Sequence, residues 1–234
     1  MLADASLPSY DPTDMTKVKA QNLGNRSVTT PYEPGSVQKV LTMAALLDAG
    51  LISGDTTVEV PGQIMSGGAF INDAWSHGSL YLTARGVLAK SSNVGTAKIG
   101  AMLSPEQMWT MFDAIGLGQQ PGLGFPGEVT GRLRPWKSWR PIEQATMSYG
   151  HGISVSLMQL ARAYTVFARE GDMIPLTLTK SDNAPITPVQ VFSPQTAREM
   201  RAMLEMATQA GGTAPKAQIP GYRVAGKTGT AYKL

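Results

Sequence analysis

Apolar side chains at Val37, Val40, Leu41, Ala44, Ala45, Leu47 and Leu51 recur at helical spacing directly after Pro34-Gly35. A helix with that many apolar positions needs a core to lie in. The chain can supply one: it has 234 residues, 42% hydrophobic and 16% charged, enough for one large domain. Gly50 lies near the expected end of this helix. A second helical stretch runs from about Thr83 to Lys90, is interrupted by Ser91-Ser92-Asn93, and resumes to Leu103. Ser104-Pro105-Glu106-Gln107 is a capping box with proline at the first helical position, opening a helix to about Ala114. Ser156-Leu157-Met158-Gln159 opens another, stopped by Gly171, and Ser193-Pro194 opens one that ends before Gly211-Gly212. Residues 1–35 read as polar and loop-like, 54–80 as short strands and turns, and 116–141 as a Gly- and Pro-rich loop. From Tyr222 onward the chain alternates like a strand. Helices in the middle and strands toward the ends point to an α+β fold rather than a regular βαβ series.

Several function classes drop out on composition. Twenty Lys and Arg against seventeen Asp and Glu give a net charge of +3 with no cationic run, so nucleic acid is not expected as a partner. The absence of cysteine removes disulfides, thiolate metal sites and a cysteine nucleophile together. The two histidines, His77 and His151, are too few for a zinc cluster, so neither metal nor cofactor is expected. His77 reads as a solvated loop residue. His151, between Gly150 and Gly152, reads as structural, although two glycines would let a ligand approach it closely. No run approaches the roughly 18 apolar residues of a membrane helix, and the first residues lack the features of a signal peptide. Gly221 to Thr228 matches the spacing of a phosphate-binding P-loop, but its interior looks like a strand and no helix can follow. Gly122 to Gly127 matches GxGxxG without a preceding strand and with Pro126 inside it, as an ordinary turn would.

One pair of residues carries chemistry. Ser36 is the only serine with a lysine three positions later, Lys39, and it falls in the first turn of the apolar helix. Positions i and i+3 share a face, which brings the amine within reach of the hydroxyl. The positive end of the helix dipole and burial both favour a neutral amine, one able to accept a proton and activate the serine. The bland alternative is an N-terminal cap beside a surface lysine. Two further elements, Ser91-Ser92-Asn93 at a helix break and Lys227-Thr228-Gly229-Thr230 at the end of the chain, change that balance. Ser-x-x-Lys, Ser-x-Asn and Lys-Thr-Gly in this order are the signatures of penicillin-recognising serine enzymes.

The longer strings Glu33-Pro34-Gly35-Ser36-Val37-Gln38-Lys39, Lys90-Ser91-Ser92-Asn93-Val94-Gly95 and Ala225-Gly226-Lys227-Thr228-Gly229-Thr230-Ala231 extend the match. So do Ser6-Leu7-Pro8-Ser9-Tyr10-Asp11-Pro12 and Tyr149-Gly150-His151-Gly152-Ile153-Ser154-Val155. In all five, residues 1–234 resemble the transpeptidase domain of class B penicillin-binding proteins, and Ser-Ser-Asn-Val-Gly is similar to the division-specific, penicillin-binding protein 3 type. The resemblance implies the penicillin-binding protein transpeptidase and serine β-lactamase-like fold, a central antiparallel sheet flanked by helices. It implies septal peptidoglycan cross-linking through a serine acyl-enzyme. The partners would be a stem peptide ending in D-Ala-D-Ala, covalently bound β-lactams and a divisome glycosyltransferase. The setting would be the extracytoplasmic, periplasmic face of the cell membrane, reached through an anchor outside this chain.

The same resemblance assigns roles. Ser36 would be the nucleophile, Lys39 its base, Ser91 a proton relay to the leaving amine, and Asn93 a ligand of the substrate amide that also holds Lys39. Lys227 would supply positive potential, Thr228 and Thr230 would bind the substrate carboxylate, and Gly229 would leave room for it. The Ser36 and Thr230 N–H groups would form the oxyanion hole. The family domain continues past Lys-Thr-Gly-Thr with two more strands and a helix, and full-length members carry a pedestal domain. The chain is therefore expected to be a fragment, with Lys227–Leu234 forming a cleft strand that has an open edge, or displaced from that position. Alternatives of the same fold are a β-lactamase and a penicillin-sensing receptor; no Glu-x-x-Leu-Asn that could activate a deacylating water occurs between Asn93 and Lys227. A P-loop nucleotide-binding protein is the remote alternative.

Overall fold

A computed structural model describes residues 4–180 and 187–230. Its helices are α1 (Arg26–Thr29), α2 (Gln38–Asp48), α3 (Ala84–Lys90), α4 (Asn93–Gly100), α5 (Pro105–Ala114), α6 (Pro141–Ser148), α7 (Leu157–Ala168) and α8 (Pro194–Thr208). The strands are β1 (Thr57–Val60), β2 (Gln63–Ser66), β3 (Ala69–Asn72), β4 (Leu80–Thr83), β5 (Asp172–Met173) and β6 (Val189–Gln190). Mixed α and β structure is as expected.

Helix α2 organises the molecule. Every residue from Gln38 to Leu47 is buried, so the helix is enclosed on all sides rather than along one stripe. Helices α3, α4, α5, α6 and α8 pack around it, and α7 packs on α8. Val40, Leu41, Met43 and Leu46 of α2, Leu88, Phe112, Met147 and Ile153 belong to one continuous core. A single 3₁₀ turn, Gly35–Val37, leads into α2 and carries Ser36.

The local signals mostly hold. Ser104 and Ser156 form complete capping boxes with Gln107 and Gln159 at α5 and α7, and Ser193 caps α8. Thr83 caps α3, and its last residue, Lys90, is followed by Ser91 in the left-handed conformation (φ 58°, ψ 39°), which breaks the chain between α3 and α4. Helix α6 was not legible as a helix, because it starts without a Ser, Thr, Asp or Asn cap. Arg140 holds the cap position, Pro141 follows, and Glu143 accepts a hydrogen bond from the Arg140 N–H at 2.7 Å.

The β structure differs from the expectation in extent. Among the described residues it consists of three two-stranded antiparallel ladders, β1–β4, β2–β3 and β5–β6, rather than one central sheet. The strand expected from Tyr222 is not formed: residues 222–230 are irregular, with Gly226 N–H donating to Leu204 O at 3.2 Å. Alternation specifies a strand only where a neighbouring strand completes its ladder, and no described strand lies beside this segment. Residues 231–234 lie outside the described residues. The P-loop reading fails on the same ground, since neither strand nor helix frames Gly221 to Thr228. In the Gly122–Gly127 loop, the Glu128 carboxylate accepts from the Gly122 and Phe125 N–H groups at 2.9 and 2.7 Å, so an internal anion takes the donors a phosphate would need.

Candidate active site

The three motifs meet at one cleft of about 410 Å³, lined among others by Ser36, Trp75, Ser91, Asn93, Thr228 and Thr230. Its floor is held by close backbone contact. Gly35 N–H donates to Gly150 O at 3.1 Å. A Cβ on Gly150 would lie 2.0 Å from Gly35 O, and one on Gly35 would lie 2.1 Å from Thr230 O. Both glycines have positive φ, +60° and +98° for Gly35 and Gly150 respectively, so neither position tolerates a side chain. The turn that carries Ser36 is thereby clamped between the loop that carries His151 and the segment that carries the third motif.

Lys39 is fully buried, and its amine donates to Ser91 O at 2.6 Å and Ser91 Oγ at 3.2 Å. From the other side, Lys227 Nζ donates to Ser91 Oγ at 2.8 Å and to Thr228 O at 3.0 Å. A hydroxyl has two lone pairs and one proton. With both lone pairs of Ser91 taken by the two amines, its proton is left to point at a third group. Burial, and then the positive charge of Lys227, lower the Lys39 amine to about 7, against an opposing pull from Asp73. Burial lowers Lys227 to about 8. Near neutral pH the site can therefore hold one amine neutral and one charged.

Asn93 is the first residue of α4, and its side-chain amide donates to Asn72 O at 2.9 Å. Its expected grip on Lys39 is instead made by Ser91, whose left-handed backbone turns both its carbonyl and hydroxyl toward the amine. Thr228 Oγ1 donates to Thr213 Oγ1 at 2.8 Å, which brings a further hydroxyl to the cleft. Gly229 lies against Val37, and Thr230 packs on Gly35.

One histidine differs from expectation. The His77 side chain is only 6% exposed, with Nε2 3.1 Å from Asp73 Oδ2 and Nδ1 2.6 Å from Gly78 O. Loop position did not make it solvated, because a buried carboxylate sits beside it. His151 lines the cleft, with Nδ1 2.9 Å from Glu33 Oε2, while Glu33 Oε1 accepts from Gly152 N–H at 2.9 Å. Asp73, Trp75 and Thr213 were missed as well. Each is a single residue with no neighbouring pattern, and only the fold brings it to the site. Among the described residues no group of His, Cys, Asp and Glu could hold a metal ion. Glu128 and Glu143 are committed elsewhere; the Arg140 N–H and then Arg134 hold the Glu143 carboxyl down at about 2.

The profile described as "Penicillin binding protein transpeptidase domain" matches residues 1–234. The chain is 41% identical over 235 residues to PenA of Neisseria flavescens, named a probable peptidoglycan D,D-transpeptidase, covering all of this chain and 58% of that one. It is 38% identical over 250 residues to the penicillin-binding protein PbpB of Mycolicibacterium smegmatis, covering all of this chain and 39% of that one. The chain thus spans roughly two-fifths to three-fifths of the length of these relatives. The solved transpeptidase domain of Burkholderia pseudomallei penicillin-binding protein 3 superposes with a TM-score of 0.85 at 52% identity, over 90% of this chain and 63% of that one.

Proposed function

Because the chain belongs to the penicillin-binding protein transpeptidase domain family, we propose that it is the catalytic part of a peptidoglycan D,D-transpeptidase of the division-specific type, cross-linking stem peptides during septal wall synthesis. The observation that carries this reading is the relay from buried Lys39 through Ser91 to Lys227 at the cleft that Ser36 lines. Ser36 attacks the carbonyl of the penultimate D-alanine of a stem peptide ending in D-Ala-D-Ala, or the carbonyl of a β-lactam. Lys39, held near neutrality by burial, takes the Ser36 proton. Ser91, its lone pairs occupied by two amines, offers its proton to the departing nitrogen. Asn93 binds the substrate amide. Lys227, Thr228 and Thr230 bind the substrate carboxylate, and Gly229 leaves that edge open. The Ser36 and Thr230 N–H groups stabilise the oxyanion, at about 3 kcal/mol per donor.

The acyl-enzyme then passes to the amine of a second stem peptide. No described carboxylate lines the cleft to activate a deacylating water in place of that amine, which favours a transpeptidase over a β-lactamase. Among the described residues no helix is long and apolar enough to cross a membrane. In the whole protein we place this domain on the extracytoplasmic face of the membrane, anchored by a segment outside this chain and served by a divisome glycosyltransferase.

Intact-mass spectrometry after incubation with benzylpenicillin tests the reading. One penicilloyl adduct is expected, lost in Ser36→Ala with the fold intact. An adduct persisting in that variant would overturn the assignment. Turnover of a chromogenic cephalosporin above about 1 s⁻¹ would instead favour a β-lactamase.

A further inference from the structure

Asp73 belongs to none of the three motifs. It follows β3 directly, and its side chain has no exposed surface. Its carboxylate meets three hydrogen-bond donors and one ring nitrogen. Oδ1 accepts from the N–H groups of Asn93 at 2.5 Å and Val94 at 3.0 Å, while Oδ2 accepts from Ser92 Oγ at 2.7 Å and faces His77 Nε2 at 3.1 Å. A buried carboxylate needs such a set to offset its lost hydration. We propose, on the acyl-transfer reading above, that Asp73, held by His77, is the positioning residue of the second motif: it fixes Ser91 and Asn93 at the cleft and holds a negative charge within electrostatic reach of the Lys39 amine.

The backbone explains why a positioning residue is needed. Ser91 sits in the left-handed region, which a residue with a side chain keeps only where its surroundings hold it there. On one flank α3 holds it, through Ser91 N–H to Leu88 O at 3.1 Å and Ser92 N–H to Val87 O at 3.0 Å. On the other flank the first N–H groups of α4 have no partner within the helix. Asp73 takes two of them, and a carboxylate at that end is also favoured by the helix dipole. Without it, the α4 flank of the turn that aims Ser91 at both lysines keeps only the Ser92 cap, whose Oγ accepts from Gly95 N–H at 2.8 Å. His77 completes the arrangement, since its other nitrogen is anchored on Gly78 O and Trp75, its ring 5.1 Å away, lines the cleft.

Electrostatics separates this role from that of a plain cap. The charged groups acting on the Lys39 amine are Lys227, which lowers its pKa, and Asp73, which raises it; His77 faces Asp73. Asp73→Asn removes one negative charge, so the amine gives up its proton at lower pH.

The experiment measures the second-order rate of acylation by benzylpenicillin against pH, with thermal unfolding alongside, in the full-length protein. Asp73→Asn is expected to lose about tenfold or more in rate, as small displacements of reacting groups do, and to shift the acidic limb of the profile to lower pH. Asp73→Glu keeps the charge but not the reach, so it should lose rate with the limb unmoved. Parent rate and limb in Asp73→Asn would overturn the inference. So would a loss uniform in pH, which would make Asp73 a helix cap only. If Asp73→Asn does not fold, Asp73→Glu decides: a lowered rate supports the inference and the parent rate overturns it. An unlabelled parent would sink the acyl-transfer reading, whereas a labelled parent with an indifferent Asp73→Asn sinks only this inference.

Discussion

Lys39 has no exposed surface, and the cation that acts on it is a second amine, that of Lys227, joined to it through one hydroxyl. Two ammonium groups so placed repel, and burial penalises both charges, so the more deeply buried amine yields its proton first. This gives a test. Lys227→Gln removes the positive neighbour, so the Lys39 amine should rise from about 7. The acidic limb of the acylation profile should then move to higher pH, on top of a general loss from weaker carboxylate binding. A limb that stays in place in a pH–rate series would show that Lys227 does not act on Lys39. At this scale the sequence was informative wherever chemistry is local: Ser36 and Lys39 share one turn, and Ser91 and Asn93 share one break. Asp73 and Thr213 were hidden, because their partners lie about twenty and fifteen residues away and on other elements.

At the scale of elements, the turn that carries Ser36 is a joint between α2, α7 and the loop at 149–152. Tyr164 of α7 donates its hydroxyl to Val37 O at 2.7 Å, at the start of α2. Tyr164→Phe should cost about 1 kcal/mol in urea unfolding, with slower acylation because the turn carrying Ser36 is less firmly held. Equal acylation would show that this bond steadies the fold without reaching the site. Gly150→Ala is far harsher, since its methyl would press on Gly35 O and its φ of +98° disfavours a side chain. Loss of most penicillin labelling is expected in that variant, with an unfolding midpoint lowered by several degrees; parent-like labelling would mean the clamp yields. Capping boxes made α5 and α7 readable because the signal and the structure occupy the same four residues. The segment from Tyr222 was misread because a strand is a property of a pair, and one chain segment reports only half of it.

For the molecule as a whole, keeping an amine in the core has a thermodynamic consequence. The folded-state pKa of Lys39, about 7, lies below its ordinary 10.5, so between those values the unfolded chain binds more protons. The contribution of Lys39 to stability therefore rises with pH across that window and is least below it. Lys39→Met fills the space without a charge. It should be more stable than the parent by about 1–4 kcal/mol at neutral pH, and the gap should narrow toward pH 10 in denaturant titrations. A gap constant with pH would mean the amine is not desolvated. The apolar face of α2 was legible from its run; its all-round burial was not, because the polar Gln38, Lys39 and Thr42 complete it. The sheet arrangement was not, because ladder partners lie far apart in sequence.

The cleft is assembled from segments that are remote along the chain: Lys39 reaches Ser91 across 52 positions, and Lys227 reaches it across 136. Contacts of such long range form late, because each closes a large loop, whereas the capped helices need only their own residues. During refolding from denaturant, the helical circular dichroism signal should therefore return before the capacity to be labelled by a fluorescent penicillin. A labelling burst as fast as the helical signal would place the motif junction in the folding nucleus. If the lag is found, covalent labelling becomes a clock for the last step of folding, and a chain arrested short of that step would be helical, compact and invisible to the antibiotic.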